Sequence, residues 1–402
     1  MYLRRESTLG ILYLDVMNKC LLLLVVCICF VSCNSNKPHY ITDLQETNTR
    51  VTYVLSENTT SYIKSLSIFE EQDGKGHLVM ASNNAPEIYV YDMSSQKLEK
   101  TIVYQREGAD GVGPKVGGVL MVNWDCIYLP SLFVPEISQI DSAGHRKNVI
   151  PFISDDEGYP FIMTRSVTGA PMYLIEDELY CIQTVNPRLG KDMVTDSSVG
   201  MKINLKTGGA EAFDFCYPSK LSPDYNSPSL GIETKVSRCY NGRDFIYSFA
   251  FDEDLYLVSK DHKQVRRIPA RSRYIDELNI PDKIPSDFKL AIKQMCEQPF
   301  YGDIIYDKYR EVYYRIVYPR ENLSLEESFS DLWQSGRSRF SIIILDKDFH
   351  IIGETLFPEN HYRSDLYYVT SEGLFISDSH YKKPDNDEDV LSFRLFMIGA
   401  SN

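Results

Sequence analysis

One phrase recurs along this chain and constrains its fold more than any other feature: an alternating apolar run, a tyrosine or aliphatic residue, a polar turn residue, then a second strand. The first clear copy is Glu87-Ile88-Tyr89-Val90-Tyr91-Asp92, with strand-like runs at 77–81 before it and 97–102 after it. Further copies end at Ser138-Gln139-Ile140-Asp141, Lys202-Ile203-Asn204-Leu205, Tyr256-Leu257-Val258-Ser259, Ile343-Ile344-Leu345-Asp346 and, last, Leu395-Phe396-Met397. The turn positions 92, 141, 204, 259, 346 and 397 lie 49, 63, 55, 87 and 51 residues apart. A period near 40–50 residues with several short strands per copy is the pattern of a β-propeller, whose blades cover one another's faces. The expected fold is therefore all-β, a propeller of six blades, with seven as the alternative count. A set of β-sandwiches would need about 100 residues per domain and linkers between domains, and no such linkers occur. The early strand around Val51-Thr52-Tyr53-Val54 is expected to complete the last blade and close the ring, hiding a reactive edge.

The long interval before Asp346 holds two helical patterns. Ser286 is placed as the N-cap of a helix over 287–296, with Phe288, Ile292 and Met295 on one face. Ser324-Leu325-Glu326-Glu327 reads as a capping box ahead of Phe329, Leu332 and Trp333. Both are expected to be short insertions covering the outside of the blades.

The amino terminus carries the address. From Cys20 to Ser32 runs a stretch of thirteen residues without a charge, preceded by Lys19. It is too short for a transmembrane helix of about 20 residues and fits the apolar stretch of a secretory signal. Charges at Arg4, Arg5, Glu6 and Asp15 interrupt residues 1–16, which are read as non-structural, with Met17 as an alternative start of translation. Phe30-Val31-Ser32-Cys33 resembles a bacterial lipobox, with Cys33 as the acylated residue and phenylalanine in place of the usual leucine. Asn34-Ser35-Asn36-Lys37 lacks the aspartate that, by resemblance to enterobacterial lipoproteins, retains a product at the inner membrane. The expected order is a signal peptide at 1–32, a polar tether at 33–48 and a single propeller at 49–402, anchored by lipid at the outer membrane. Each buried acyl methylene contributes about 0.8 kcal/mol, so two or three chains hold a soluble domain stably. The 56 acidic against 42 basic residues, a net charge of −14, argue against nucleic acid as a partner. Five cysteines remain beyond the anchor, an odd number without a CxxC pair, so neither a disulfide framework nor a thiolate zinc site is indicated.

No constellation for chemistry emerges. The glycine-rich run 106–114 lacks the Lys-Ser/Thr ending of a phosphate-binding loop and reads as a tight connection between blades. Asp385 to Asp389 has Val390 and Phe396 where a calcium loop needs glycine and glutamate, which leaves a solvated acidic loop. Asp378 and His380 alternate along a strand without a third orienting group. The runs Asp252-Glu253-Asp254 and Asp155-Asp156-Glu157 are sequence neighbours, whereas glycosidase carboxylates must face each other across a bond. Catalytic residues, metal ligands and cofactors are therefore all expected to be none. For recognition, the period-two rule puts Tyr313 and Arg315 on one face of a strand and Val312, Tyr314, Ile316 and Tyr318 on the other. An arginine among aromatics within a strand must find acceptors. Arg315 is expected either to pair with a carboxylate such as Asp307 or to point at a ligand in the channel.

Two phrases carry a resemblance to a known family. They are Arg106-Glu107-Gly108-Ala109-Asp110-Gly111-Val112-Gly113-Pro114 and Tyr301-Gly302-Asp303-Ile304-Ile305-Tyr306-Asp307-Lys308-Tyr309-Arg310-Glu311-Val312-Tyr313-Tyr314-Arg315. With the lipobox and the period, the chain resembles the exported six-bladed, TolB-like propeller lipoproteins of Bacteroides-type bacteria grouped as domain of unknown function 4221. The resemblance implies a fold and an envelope location, and no activity. The expected function is a propeller that binds an envelope protein or a glycan without catalysis; the alternative is a carbohydrate-active hydrolase or lyase built on the propeller.

Overall fold

A computed structural model of the chain describes residues 40–82, 85–152, 163–183, 197–218, 235–278, 285–334 and 336–401. Cys33, the signal and the first part of the tether lie outside these residues, as do Asp155, Asp156 and Glu157.

The described residues form six blades of four antiparallel strands. From the inside outward, blade 1 is Ile63–Glu70, Gly76–Ser82, Glu87–Asp92 and Leu98–Val103, and blade 2 is Leu120–Asn123, Cys126–Pro130, Glu136–Ile140 and Arg146–Pro151. Blade 3 runs Thr164–Arg165, Glu178–Gln183, Gly200–Asn204 and Ala210–Ala212, with Tyr173–Ile175 also paired to its second strand. Blade 4 is Val236–Tyr240, Asp244–Phe249, Asp254–Ser259 and Val265–Pro269; blade 5 is Phe300–Asp307, Val312–Tyr318, Ser341–Leu345 and Ile351–Leu356. Blade 6 takes Arg363–Val369, Leu374–Ser377 and Val390–Ala400 from the carboxyl end and its outermost strand, Thr42–Val54, from the amino end. That strand closes the ring as expected. It starts at Thr42, inside the segment assigned to the tether, because residues 42–46 pair with 396–400.

The core is the set of layers between blades. Leu66, Leu78 and Tyr89 of blade 1 meet Leu366, Phe375 and Phe393 of blade 6; Val79, Ile88 and Val90 on the opposite face meet Ile127, Leu129 and Ile140 of blade 2. The alternation read at Arg315 has the same cause. Tyr313 and Val317 pack with Cys239 and Ile246 of blade 4, while Tyr314, Ile316 and Tyr318 join the cluster that contains Tyr367, Leu374 and Ile376 of blade 6. A strand buried on both faces reads as continuously apolar, and Val312–Tyr318 is buried at every position.

The repeated turn residue has a physical role. Between the third and fourth strands, Oδ1 of Asp141 accepts from the N–H groups of Ala143 and His145 at 2.9 and 3.0 Å. Oδ1 of Asn204 accepts from Lys206 and Thr207 at 3.0 Å each, and Oδ1 of Asp346 from Asp348 and His350 at 2.9 and 2.8 Å. Asp92 holds Ser95 in the same way. A left-handed residue follows in each of these four, Gln96, Gly144, Gly208 or Phe349, and His262 takes the same place in the blade 4 turn, where Ser259 Oγ accepts from Gln264 N–H at 3.0 Å. This is a carboxylate- or amide-capped hairpin with a bulge. Met397 departs from the series and lies within a strand, since the strand beside it arrives from the other end of the chain and no hairpin is needed.

Serine hydroxyls stitch the inner strands together. Ser65 Oγ donates to the Ser166 carbonyl at 2.9 Å, and Ser166 Oγ donates to the Val119 carbonyl at 2.9 Å, tying blades 1, 2 and 3. Ser237 Oγ donates to the Gly169 carbonyl and accepts from the Ile304 N–H at 3.0 Å, tying blades 3, 4 and 5. Gly118 forms a parallel bridge to Ser166 with φ +109°, and a Cβ there would lie 1.9 Å from the Ser166 carbonyl oxygen. Gly118→Ala is therefore expected to destabilise the fold by about 3 kcal/mol, measured as an earlier denaturant midpoint. An unchanged midpoint would show that the inner ring tolerates expansion.

The insertions differ from expectation in detail. The first helix, α1, spans Phe288–Glu297; its N-cap is Asp287, whose carboxylate accepts from Leu290 N–H at 2.8 Å, and not Ser286. Its buried face is Ala291, Met295 and Cys296, and Phe288 is 69% exposed. The second helix, α2, spans Phe329–Gln334. Ser324, five residues earlier, caps a turn by accepting from Glu326 N–H at 3.1 Å, and Glu327 pairs with Lys382, so no capping box forms. Phe329 and Leu332 pack with Cys296 of α1; the Trp333 side chain lies outside what is described.

Candidate functional site

The two ends of the wheel are unlike. Inner strands run parallel around the axis, so all first-to-second and third-to-fourth turns share one end. The other end carries the connections between blades and between second and third strands, including both helices. Short capped hairpins make the first end regular. Long connections make the second the variable one, and binding residues concentrate in such loops held by a rigid frame.

Near this loop end, residues of non-neighbouring blades meet across the axis. Gly302 and Asp303 lie at a register shift in the inner strand of blade 5, a bulge that turns the Asp303 side chain out of the ladder. Asp303 Oδ2 accepts from the Tyr367 hydroxyl of blade 6 at 3.1 Å, and Lys235 Nζ, ahead of blade 4, stands 3.9 Å from Oδ1. Gly169 of blade 3 borders the same carboxylate: a Cβ there would come within 2.2 Å of Asp303 Cγ and Oδ1. Burial, followed by the Asp303 charge, pushes the Tyr367 hydroxyl well above its ordinary pKa, which keeps it a donor. Lys235 lies 5.6 and 5.9 Å from the rings of Phe300 and Tyr318. The result is a carboxylate, 13% exposed, among phenols with the half-exposed ammonium of Lys235 beside it.

Arg165 occupies the inner strand of blade 3 at the same end. Its Nε is buried without a hydrogen-bond partner. Asp365 is differently placed, since Arg363 Nε and Nη2 fork its two oxygens at 3.1 and 2.7 Å.

The residues singled out from sequence sit elsewhere. Arg315 is wholly buried between blades 4 and 5. Its Nη1 donates to the carbonyls of Glu253 and Ala270 at 2.6 and 3.0 Å, its Nη2 to those of Asp252 and Asp254 at 2.6 and 3.4 Å, and its Nε to Ser248 Oγ at 3.1 Å. The guanidinium lies 3.7 Å from the centre of the Tyr301 ring. Burial lowers its pKa to about 10. Asp307 does not pair with it. Its Oδ1 caps a turn at Tyr309 and Arg310, and its Oδ2 takes Arg310 Nε at 2.7 Å and the Tyr314 hydroxyl at 3.1 Å. Tyr313 stacks on Phe349, and its hydroxyl accepts from Asn241 Nδ2 at 2.8 Å. The structure thus does not bring Tyr313, Arg315 and Asp307 together. Asp378 and His380 follow the strand Leu374–Ser377 and serve ring closure and packing. Asp252 caps its own turn, with Oδ1 accepting from Asp254 N–H at 2.9 Å and Oδ2 from the Tyr256 hydroxyl at 2.5 Å.

Among the described residues, no group of three or more His, Cys, Asp or Glu side chains could hold a metal ion, and no helix is long and apolar enough to cross a membrane. The five described cysteines are free, and Cys181, Cys239 and Cys296 are buried. The glycine-rich run carries positive φ at Gly108 and Gly113, and its Ala109 and Gly111 carbonyls accept from Arg146 of blade 2.

No curated protein matches the chain. Among solved structures, it is similar to a member of the DUF4221 family from Bacteroides vulgatus ATCC 8482, with 25% identity and a TM-score of 0.77 over 90% of this chain and 100% of that one. A protein predicted to be exported, from Bacteroides fragilis NCTC 9343, has the same fold at 10% identity, with a TM-score of 0.52 over 92% of this chain and 98% of that one. The model of the family described as domain of unknown function (DUF4221) matches residues 43–356, which is 314 of the 402, and the chain therefore belongs to that family.

Proposed function

We propose that this chain is a ligand-binding propeller of the cell envelope, held to the outer membrane by lipid on Cys33, with the loop end of its channel as the binding face. The observation that carries the reading is the carboxylate of Asp303, aimed across the axis among phenols; of the described carboxylates on the inner strands beside it, Asp365 is already forked by Arg363. A hydrolase of glycosides needs two carboxyl groups on opposite sides of the bond. One acceptor among aromatic faces suits recognition of a hydroxyl-rich glycan or a polar peptide. The strand Thr42–Val54 begins at the turn end, away from this face, as a tethered binding module requires. Export is supported by the apolar run 20–32, and a protein predicted to be exported has the same fold.

The test is a glycan array and a pull-down from detergent-solubilised envelopes with the mature chain and its Asp303→Asn variant. Capture by the native chain, weakened about tenfold or more in the variant, is expected from loss of a charged acceptor. Cleavage of polysaccharide without capture would overturn the reading. Mass spectrometry of the amino terminus tests the anchor separately, and an unmodified Cys33 would remove it.

A further inference from the structure

We propose that Arg165 makes the channel mouth a site for a carboxylate-bearing small ligand, a specificity that rests on the binding reading above. Arg165 lies on the two-residue inner strand of blade 3, paired with Ile182. The ionisable groups that act on it are the phenols of Tyr217 and Tyr62. Tyr62 immediately precedes the inner strand of blade 1, two blades away, and the two inner strands meet beside Arg165, where the Ser65 hydroxyl donates to the Ser166 carbonyl at 2.9 Å. Blade 2 closes the side: a Cβ on Gly117 would lie 3.4 Å from Arg165 Cα and 2.9 Å from the Thr164 carbonyl oxygen. Tyr217 is fixed by donating its hydroxyl to the Gln183 carbonyl at 3.0 Å.

The chemistry follows from what surrounds the guanidinium. Arg165 is partly buried, desolvation lowers its pKa, and a partly buried cation that no described carboxylate pairs with is costly. The chain holds 56 acidic residues, yet among the described residues none forms an ion pair with Arg165, and its Nε is buried with no acceptor. Arg315, Arg363 and Arg310 show the opposite arrangement, each with its donors spent on carbonyls or carboxylates. An arginine fork fits a planar carboxylate through two parallel hydrogen bonds. A single guanidinium in a strongly negative molecule suits a monoanion, and a phosphate dianion would need further donors that the described residues do not gather here. The flanking tyrosine rings add flat apolar surface for the body of the ligand.

The experiment titrates the mature chain by calorimetry with two carboxylate probes and their neutral counterparts: D-glucuronate against D-glucose, and N-acetylglutamate against N-acetylglutamine. Binding of one acid at least tenfold tighter than its neutral partner, lost in Arg165→Met and partly kept in Arg165→Lys, is the expected result, and the pair that shows it tells a sugar acid from an amino acid. Melting curves without ligand accompany each variant, so that loss of binding is read only on folded protein. Equal binding of acid and neutral partner, or binding unchanged in Arg165→Met, would overturn the carboxylate inference and leave the broader binding reading standing. Tight binding of inorganic phosphate at Arg165 with no response to either acid would overturn it too. If Arg165→Met only lowers the melting temperature and no acid binds the native chain, Arg165 is structural and the inference falls.

Discussion

Replacing Arg315 by methionine is expected to lower the stability of the propeller by about 4 kcal/mol, seen as a fall of roughly 5 °C in melting temperature. The guanidinium reaches from the second strand of blade 5 into blade 4 and collects three successive carbonyls, those of Asp252, Glu253 and Asp254, together with that of Ala270, where the chain leaves blade 4. Methionine fills the volume over the Tyr301 ring and leaves these carbonyls without their donor. Each buried acceptor stranded in this way costs about 1–3 kcal/mol, so several together outweigh the hydrophobic gain. Lysine is expected to recover little, because one ammonium cannot present a planar fork to acceptors on two segments and also lie flat on a ring. Denaturant melts of the two variants check this. A methionine variant as stable as the native chain would mean that the carbonyls relax to water and that the staple contributes little.

Arg315 also marks how far a sequence reading reaches. Its strand, its face and its need for acceptors follow from periodicity and burial alone. The acceptors are backbone carbonyls about 60 residues earlier, and a carbonyl leaves no trace in an amino-acid sequence. Turn residues are legible for the opposite reason: the side chains of Asp92, Asp141, Asn204 and Asp346 themselves cap the hairpins, so the residue type encodes the contact. Met397 broke the series because closure of the ring is a tertiary event. Asp303 and Arg165 were not singled out, since their significance lies in which blades face each other across the axis. The glycine at 302, inside a run of strand-forming residues, was the available signal of a bulge beside Asp303. Arg165 had none, since its inner strand is only two residues long. For α1, both Ser286 and Asp287 can cap, and the choice was made by the buried face Ala291, Met295 and Cys296.

Asp378→Asn is expected to loosen the closure of the ring, with a loss of about 3 kcal/mol and roughly 4 °C. Asp378 is buried at the seam where the amino-terminal strand joins blade 6. Its Oδ2 lies 3.0 Å from Arg50 Nε on that strand and 3.3 Å from Lys383 Nζ and Arg394 Nε, while Oδ1 accepts from the Ser392 hydroxyl. Asparagine keeps the shape and removes the charge, leaving three cations around a neutral group. Arg50 is partly solvated, which holds the loss to the lower end of the range for a broken buried pair. Burial pushes the Asp378 pKa up, but the Ser392 hydroxyl and the Lys383 and Arg50 cations outweigh it, and the net shift is downward. A carboxyl with a lowered folded pKa contributes stability that is fully present above the unfolded value of about 4 and is lost as pH falls through the folded value. The gap in melting temperature between native and variant chains should therefore be widest near pH 6 and should shrink below pH 4. A gap that stays constant down to pH 3 would mean that the charge of Asp378 does not hold the seam. Because that strand forms the outermost rung of blade 6, its loosening should also appear as faster amide exchange at Tyr53 and Val54, ahead of global unfolding.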